Sequence, residues 1–445
     1  MRVALFVHCF FPNHFYGTET YTFDLARNLR AMGHEPVVVS GIFHGEPKQE
    51  KMVAHYEYAG IPVYCIDKNY LPDTRIKDSY YRPEMYNVLK DILSSIKPEI
   101  VHVTHLMNHT AVLLDVAEDL DLPIIASCTD FLGFCYNHKL EAADGTLCKG
   151  PNRGRTNCLA CLLKVVAQDP PETFIRRLVG RYLLFSAHIL NGLRRIPGFR
   201  KGKIARFVLD IVKRPDLLMK SYSKYRAVIV ATKFLGDSYL SNGLTVPVHK
   251  IRFGVDLSRD PKRSKKKGMP IKLGFIGQIA PHKGTEILVE AFCRLPEGAA
   301  ELHLYGSDDT APEYFSRLRK RSVGRKVFFH GTFPKEKIGE VLSDMDFLCI
   351  PSIWYENSPL VLLNALASHT PVIVSDVEGM TEFVKEGENG YIFSRGDTND
   401  LERVLRAIIG DPEKAWALTD TTEYERTTKT MTEDVLLLYY KILHH

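Results

Sequence analysis

At 445 residues, the chain is too long for one ordinary hydrophobic core and suits two domains of about 200 residues each. It contains 45% hydrophobic and 25% charged residues, which is the composition of a folded globular protein and excludes a disordered or fibrous chain. The net charge of +5 is modest, and no apolar run approaches the ~20 residues that a membrane-spanning helix needs.

Short apolar, β-branched runs alternate with helix-like segments in the first half of the chain. The runs are Val3–Val7, Val37–Ser40, Ile100–Thr104 and Ile124–Ser127, and the helix-like segments include Thr18–Met32 and Tyr86–Ile96. This alternation predicts an α/β fold with a parallel sheet covered by helices on both faces. The first run lacks the flanks of a signal peptide, so we expect a buried strand, a cytoplasmic protein and mostly reduced cysteines.

Four cysteines lie in or beside a loop at about residues 128–165. Cys158 and Cys161 have the C-x2-C spacing with which two thiolates can bind one zinc ion, and Cys135 and Cys148 would complete a tetrahedral set. Such a site would be structural, because four thiolates leave no open position for a substrate. Free thiols and a disulfide pair are the alternative interpretations.

A basic segment at about residues 172–226 interrupts the alternation. From Phe174 to Arg226 it contains fourteen Lys and Arg residues against two Asp residues, with apolar residues interleaved. Basic amphipathic helices of this kind commonly lie on anionic membranes, so we expect peripheral membrane contact. The alternative is a solvated helical insert packed on the first domain. Nucleic-acid binding is less well supported, since no recognition motif accompanies the charge.

The alternation of strands and helices restarts after Tyr225, so we expect a first domain at residues 1–225 and a second at 226–428. The segment from Pro261 to Gly268 has the most linker-like composition. Seven short apolar runs predict the strands of the second set: Ala227–Ala231, Lys250–Phe253, Ile271–Ile276, Glu301–Tyr305, Val327–Phe329, Phe347–Ile350 and Pro371–Val374.

The stretch from Trp354 to Ser375 predicts a strand end, a polar loop, a helix and another buried strand. Glu356 precedes a helix whose first turn contains Pro359, a favoured position for proline. The free N–H groups of Leu360 and Val361 then form a partly positive terminus that suits a phosphate. A carboxylate beside it can bind the hydroxyls of a sugar, so the pair suggests a sugar nucleotide.

Three motifs in order resemble retaining glycosyltransferases of family 4, or glycosyl transferases group 1, which have the GT-B fold. Pro12–Tyr21 resembles the Gly-rich first loop of that family, Leu273–Gly284 its diphosphate-binding strand and loop, and Trp354–Ser375 its E-x7-E region. The resemblance implies two Rossmann-like domains facing each other across a cleft, with the last helix, at 429–445, packed back on the first domain.

The implied activity is metal-independent transfer of a hexose-type sugar from a nucleoside-diphosphate sugar to a glycan or lipid-linked acceptor, without a cofactor. Such reactions serve cell-surface polysaccharide or glycoconjugate synthesis, here at the inner face of the cell membrane. Two rivals are a non-catalytic GT-B scaffold that binds a sugar nucleotide or glycan, and a sugar-nucleotide epimerase. Retention of Glu356 and Lys283 favours the transferase.

On the donor side, the resemblance implies that Glu356 positions sugar hydroxyls and that Lys283 and the helix start at Pro359–Val361 hold the diphosphate. Lys283 could otherwise be an ordinary surface lysine. Asn357 and Ser358 would add contacts or cap the helix. Two departures from the family pattern remove charge: Gln278 stands where an Arg is usual, and Asn364 stands where the second Glu would hold the ribose.

On the acceptor side, Gly17 and Thr18 stand where the family often has two glycines, and Gly17 would permit positive φ and close ligand approach. Glu19 would orient an acceptor hydroxyl or merely favour the helix dipole. Thr129 replaces the histidine of a usual His-Asp pair, which leaves Asp130 to hold acceptor or donor hydroxyls. Of the two histidines in the third strand run, His102 and His105, His105 is the better candidate for the cleft, although either could be structural.

Overall fold

The computed structural model describes residues 1–43, 45–168, 182–193, 202–257, 268–307 and 312–444. The chain divides into two compact units. The first unit comprises Met1–Arg252 together with Lys429–His445, and the second comprises Phe253–Thr428. Each unit is built on one largely parallel sheet, which confirms the prediction of two Rossmann-like α/β domains.

Fourteen strands are present in the described residues. Eight belong to the first unit: β1 (Arg2–Phe6), β2 (Glu35–Ile42), β3 (Val53–Tyr58), β4 (Ile61–Asp67), β5 (Ile100–Val103), β6 (Ile124–Cys128), β7 (Ala227–Val230) and β8 (Val248–Lys250). Six belong to the second: β9 (Ile271–Ile276), β10 (Ala300–Tyr305), β11 (Val327–Gly331), β12 (Phe347–Ile350), β13 (Val372–Ser375) and β14 (Gly390–Phe393). The strand orders are β3-β4-β2-β1-β5-β6-β7-β8 and β11-β10-β9-β12-β13-β14.

Fourteen α-helices within the described residues connect and cover these strands. They are α1 (Gly17–Ala31), α2 (Tyr86–Ile96), α3 (Val112–Asp119), α4 (Thr156–Gln168), α5 (Leu183–Leu193), α6 (Lys203–Tyr222), α7 (Lys233–Ser241), α8 (Thr285–Cys293), α9 (Pro312–Arg321), α10 (Ile338–Ser343), α11 (Leu360–Ala367), α12 (Thr398–Gly410), α13 (Pro412–Thr421) and α14 (Thr428–Leu443). Every one of them is too short or too polar to span a lipid bilayer.

The boundary between the units lies after Arg252, so the expected boundary at residue 225 is wrong. The strand run beginning at Ala227 was assigned to the second set, yet β7 pairs in parallel with β6 and β8 continues the same sheet. The alternation of strands and helices in the sequence is the same whichever sheet a strand joins. Only the pairing with neighbouring strands shows to which sheet a strand belongs. Of the linker predicted from Pro261 to Gly268, residues 261–267 lie outside the described residues.

The first sheet also contains a hairpin that the sequence did not predict. Strands β3 and β4 pair in antiparallel register, with Tyr56 opposite Val63, and β3 is the sheet edge. No residue of β3 is fully buried. A half-exposed edge strand lacks the continuous apolar run by which the buried parallel strands are recognised.

Helix α14 contributes to the core of the first unit. The hydroxyl of Tyr439 lies 2.6 Å from Nδ1 of His102 on β5, and Ser127 Oγ on β6 lies 2.7 Å from Nε2 of the same ring. All three side chains are buried. The two ends of the second unit also meet, because the amide of Val255 donates to the carbonyl of Arg426 at 3.0 Å.

The described part of the basic segment forms α5 and α6. Helix α6 is amphipathic: it buries Val208 and Ile211 in a cluster with α4 and exposes residues such as Lys213. Its buried Asp210 pairs with Arg75. This face of the insert therefore packs on the first unit. The remaining basic residues, Arg176, Arg177, Arg181, Arg194, Arg195, Arg200 and Lys201, lie outside the described residues.

Candidate active site

Each sheet has a point where its strand order reverses, between β1 and β5 in the first and between β9 and β12 in the second. Connections that leave two such strands on opposite faces open a crevice at their carboxyl ends, where open α/β sheets bind ligands. His8 and His105 follow β1 and β5, whereas Lys283 and Glu356 follow β9 and β12. The topology therefore positions candidate residues at the ligand-binding edge of each unit.

Lys283 and Glu356 form an ion pair at this edge of the second sheet. Lys283 Nζ lies 2.7 Å from Glu356 Oε1, and the same oxygen accepts hydrogen bonds from Ser352 Oγ at 2.7 Å and Trp354 Nε1 at 2.9 Å. Burial acts to raise the pKa of Glu356, but the Lys283 ammonium and these hydrogen bonds outweigh it and lower that pKa. Glu356 is therefore a carboxylate, and its Oε2 atom, which accepts no hydrogen bond from the described residues, can accept one from a ligand hydroxyl.

The indole of Trp354 links the two charged residues. Besides its hydrogen bond to Glu356, its ring centroid lies 4.9 Å from Lys283 Nζ, a cation–π contact. The ring of His282 packs on it with centroids 3.9 Å apart. The position of the ammonium group is thus set both by a carboxylate and by an aromatic face.

Two glycines let the loops of this site approach closely. Gly284 has φ +69°, and a Cβ there would lie 1.8 Å from the carbonyl oxygen of Pro351. Gly379 has φ +89°, and a Cβ there would lie 1.6 Å from the carbonyl oxygen of Glu356. Neither position tolerates a side chain without movement of the backbone that carries Lys283 or Glu356.

The helix that follows Glu356 begins slightly later than predicted. Pro359 is its N-cap rather than a residue of its first turn, so Leu360 and Val361 are its first residues. Ser358, at φ +62°, has a buried Oγ without a hydrogen-bond partner among the described residues. That hydroxyl and the first amides of α11 could donate to a phosphate. Asn357, Asn364 and Gln278 lie on the same loops and helix, and Asn364 and Gln278 are half-buried.

Five ionisable side chains form a connected network at the carboxyl edge of the first sheet. His8 Nε2 lies 3.3 Å from Glu19 Oε1, and the ring centroids of His8 and His105 are 4.2 Å apart. Asp130 Oδ2 then lies 3.0 Å from His105 Nε2 and 3.7 Å from His138 Nδ1. Although Thr129 replaces the usual histidine, His105 supplies an imidazole to Asp130 from a neighbouring strand.

The protonation of this network follows from burial and mutual charge. Burial raises the pKa of Glu19 and lowers that of His8 well below its usual range, which favours their neutral forms. Burial opposes ionisation of Asp130, but His105 outweighs it and lowers the pKa of Asp130. Burial also lowers the pKa of His138 to about 4. The network thus combines a carboxylate with neutral groups able to give or accept a proton.

The two threonines that depart from the family pattern contact each other. Thr18 Oγ1 donates to Thr129 Oγ1 at 3.0 Å. Gly17 has no positive φ, and a Cβ added there would meet nothing within 4 Å. Gly17 therefore does not use the positive φ that a glycine permits, and the open space beside it leaves room for a ligand. His102 is fully buried between Tyr439 and Ser127, away from this network.

The four cysteines of the predicted metal site lie in the loop after β6 and in the first turns of α4. No three of their sulfur atoms lie within 4.8 Å of one another, so the sulfurs are not in position to bind one ion together. Among the described residues, His8, Cys9 and Glu19 form the one set of three such ligand atoms within 4.8 Å of one another. Cys135, Cys148, Cys158 and Cys161 are free thiols, without a disulfide among them.

Several residues of these sites were not found from the sequence. His8, His138, Ser352 and Trp354 lie in loops, where no periodicity indicates which way a side chain points. A signal was present for Ser352 and Trp354, because both precede Glu356 within four residues on a segment that follows a buried strand.

Comparisons with known proteins identify the family. The model for glycosyl transferases group 1 matches residues 257–423, and that for glycosyltransferase family 4 matches residues 15–140. The D-inositol 3-phosphate glycosyltransferase of Nocardia farcinica is 30% identical over 156 residues, covering 33% of this chain and 34% of that protein. The chain spans about a third to a half of the length of the curated relatives it matches.

Solved structures share the fold. Sucrose-phosphate synthase from Thermosynechococcus elongatus superposes with a TM-score of 0.63 at 16% identity, over 100% of this chain and 99% of that one. Anabaena HepE in complex with UDP gives 0.63 at 13% identity, over 99% and 100%. The solved structures show that the chain has the GT-B architecture. The two family models, which together match well over half of the chain in the expected order, show that it belongs to glycosyltransferase family 4.

Proposed function

We propose that this chain is a retaining glycosyltransferase that moves a sugar from a nucleoside-diphosphate sugar to an acceptor hydroxyl. The observation that carries the proposal is the partly buried Lys283–Glu356 ion pair at the ligand-binding edge of the second sheet. A cation for phosphate and a carboxylate for sugar hydroxyls, side by side, match the two halves of such a donor. The UDP in the HepE structure supports a nucleotide of this class.

Donor binding would use the elements already described. The Lys283 ammonium and the first amides of α11 would hold the diphosphate, and the Oε2 atom of Glu356 would accept from sugar hydroxyls. Asn364 would contact the ribose as a neutral partner. Gln278 would add a neutral hydrogen bond at the diphosphate, where an arginine would have added charge.

The chemical step requires stabilisation of the departing diphosphate. As the bond between the anomeric carbon and the diphosphate oxygen breaks, the acceptor oxygen forms the new glycosidic bond on the same face. The acceptor proton passes to an oxygen of the leaving diphosphate. Lys283 and the α11 terminus act on the developing charge, an electrostatic contribution for which loss of one donor typically costs ~10²–10³ in rate.

We propose that the first unit binds the acceptor through Glu19, His105 and Asp130. Asp130 is held as a carboxylate by His105 and can accept a hydrogen bond from an acceptor hydroxyl. A lipid-linked acceptor is supported by α5, which contains no Asp, Glu, Lys or Arg. It exposes 53% of Leu184, 67% of Phe185 and 46% of Ile189.

Vesicle binding tests the membrane contact. The protein should co-sediment with vesicles that contain phosphatidylglycerol and less with phosphatidylcholine alone, since apolar insertion and charge act together. Phe185→Ser should weaken this binding. Val323→Ser is the matched control, because Val323 is 79% exposed on the second unit. Equal binding of both variants would remove the membrane assignment of α5.

Melting temperature against UDP-, GDP-, ADP- and dTDP-sugars tests the donor assignment. A ligand at ~100 times its dissociation constant stabilises the folded state by ~2.7 kcal/mol. A shift with one nucleotide family, lost in Lys283→Ala, would support the site. Product formation that depends on an added glycan or lipid-linked acceptor would then separate a transferase from an epimerase and from a non-catalytic scaffold. Donor binding without any turnover would favour the scaffold.

A further inference from the structure

We propose that Cys135, Cys148, Cys158 and Cys161 bind one structural zinc ion, which fastens the loop after β6 to helix α4. This inference does not depend on the transferase activity, because none of the four cysteines has a role in the proposed binding of the donor or the acceptor. It rests on how the loop folds, on what surrounds the sulfurs and on a buried positive charge beside them.

The helix presents two of the four ligands. Cys158 and Cys161 lie in the first two turns of α4, three residues apart and hence on one side of the helix. Cys158 is 8% exposed and belongs to the core cluster formed by α4, α5 and α6. The C-x2-C pair is therefore held by packing, as a preformed half-site requires.

The loop brings the other two cysteines to this pair. Cys135 Sγ donates to Asn137 Oδ1 at 2.8 Å, and Nδ2 of the same asparagine side chain donates to the carbonyl of Glu141 at 2.7 Å. Cys161 Sγ contacts the same carbonyl at 3.6 Å. One asparagine side chain and one carbonyl thus separate Cys135 from Cys161.

Two N–H donors lie beside the sulfur of Cys148. Its Sγ accepts from the backbone amide of Gly150 at 3.3 Å and from Nδ2 of Asn157 at 3.5 Å, and the thiol donates to the carbonyl of Gly150 at 3.4 Å, a bond that metal binding would replace. Donors to sulfur stabilise the thiolate and orient metal-bound cysteines. Asn157 is the residue before Cys158, so this contact also ties Cys148 to the start of α4.

A buried guanidinium lies beside the cluster. Arg214 on α6 is 3% exposed, and its nitrogens donate to the carbonyls of Cys135 at 3.0 Å and Leu132 at 2.8 Å. No carboxylate of the described residues forms an ion pair with it. A zinc ion with four thiolates carries a net charge of −2 and would supply the missing counter-charge.

Coordination requires a local rearrangement of side chains. Four sulfurs at the usual Zn–S distance of about 2.3 Å lie about 3.8 Å from one another, closer than they lie here. The four sulfur atoms would come together if the cysteine side chains rotated and Cys135 gave up its hydrogen bond to Asn137. Each thiol gives up its proton, so binding of one Zn²⁺ releases four protons.

The first measurement is the metal content of the full-length protein, purified without chelator. We expect one zinc per chain, released by a mercurial thiol reagent and detected with a zinc-binding dye. Cys158→Ser and Cys161→Ser should lose the metal, whereas Cys293→Ser, a half-buried cysteine of the second unit, should keep it. Zinc that persists in both ligand variants would overturn the proposal.

A second measurement does not depend on the variants folding. Replacement of zinc by Co²⁺ in the wild-type chain should give the sulfur-to-cobalt charge-transfer bands of a tetrahedral thiolate site, and a strong chelator should lower the melting temperature. A wild-type protein without zinc, or one that holds iron and inorganic sulfide, would refute the zinc assignment. None of these outcomes bears on donor binding, so the two proposals fail separately.

Discussion

Trp354 Nε1 and Glu356 Oε1 are joined by a hydrogen bond of 2.9 Å, two residues apart in one loop. The indole thereby holds in place the carboxylate oxygen that also forms the ion pair with Lys283. In Trp354→Phe the hydrogen bond is lost, whereas the aromatic face beneath the ammonium remains. A hydrogen bond to a charged group contributes ~1.5–3 kcal/mol, so we expect kcat/KM to fall by about 10- to 150-fold.

The two halves of the donor distinguish this effect from general damage. Binding of the free nucleoside diphosphate to Trp354→Phe should stay near the wild-type affinity, because Lys283 keeps its aromatic contact. Binding of the nucleotide sugar should weaken. An equal loss for both ligands would contradict a role for the indole in orienting Glu356.

Replacement of Glu356 by Gln removes the carboxylate charge without changing the volume of the side chain. We expect turnover to fall by about two orders of magnitude, because sugar hydroxyls lose their charged acceptor and Lys283 loses its counter-ion. Steady-state transfer rates and the melting temperature should be measured together. The control is Glu388→Gln, whose native carboxylate is exposed and pairs with Lys385 at 3.2 Å. Similar rates in both variants would remove Glu356 from the mechanism.

Gly379 and Gly387 separate backbone strain from steric contact. Both have positive φ, but a Cβ at Gly379 would collide with the Glu356 carbonyl, whereas one at Gly387 would meet nothing within 4 Å. Gly387→Ala should cost the ~1–2 kcal/mol of left-handed backbone and leave activity unchanged. Gly379→Ala should cost more and also reduce donor affinity, as measured by chemical denaturation and nucleotide-sugar titration. Equal losses of stability would show that the loop around Glu356 moves freely.

The buried histidine His102 predicts acid sensitivity of the first unit. Burial lowers its pKa to about 3, against about 6.5 in an unfolded chain. The unfolded chain therefore binds this proton more readily. The stabilising contribution is complete above pH 6.5 and is lost as the pH falls from 6.5 towards 3, by about 1.4 kcal/mol per pH unit.

His102→Gln should make the free energy of unfolding less dependent on pH in this range, as measured by denaturant titration from about pH 6.5 to pH 4. The exposed His55→Gln should keep the wild-type dependence. If His102→Gln also retained that dependence, acid sensitivity would have to come from the other buried histidines, such as His109, whose pKa burial lowers to about 4.

Residues that form continuous buried runs were predicted well from the sequence. Ile100 to Val103 and Phe347 to Ile350 are buried on both faces and mostly apolar, so their strands were found to within a residue. Val53 to Tyr58 was missed because this edge strand is partly exposed to solvent and so lacks a continuous apolar run. Ala227 was recognised as a strand residue but assigned to the wrong sheet. It pairs with Ile125, which is far away in the chain, and the local sequence pattern contains no information on such a pairing.

In the candidate site, too, the residues in local motifs were predicted and the contacts that depend on the three-dimensional fold were not. Glu356 and Lys283 stand in motifs and were named from the sequence, and the structure places them 2.7 Å apart. The contacts that Trp354 makes with both residues depend on the conformation of a loop, which no periodic sequence pattern predicts. The pairing of His105 with Asp130 likewise depends on two strands, β5 and β6, being neighbours in the sheet.

The contact between His102 and Tyr439 has a consequence for how the chain folds as it is synthesised. These residues are 337 positions apart, and the whole second unit lies between them in the chain. On the ribosome, the second unit is a continuous segment and can fold as soon as it has emerged. The first unit, although it begins at Met1, can bury His102 against Tyr439 only after the chain has been translated through α14. The part made first is therefore the part finished last.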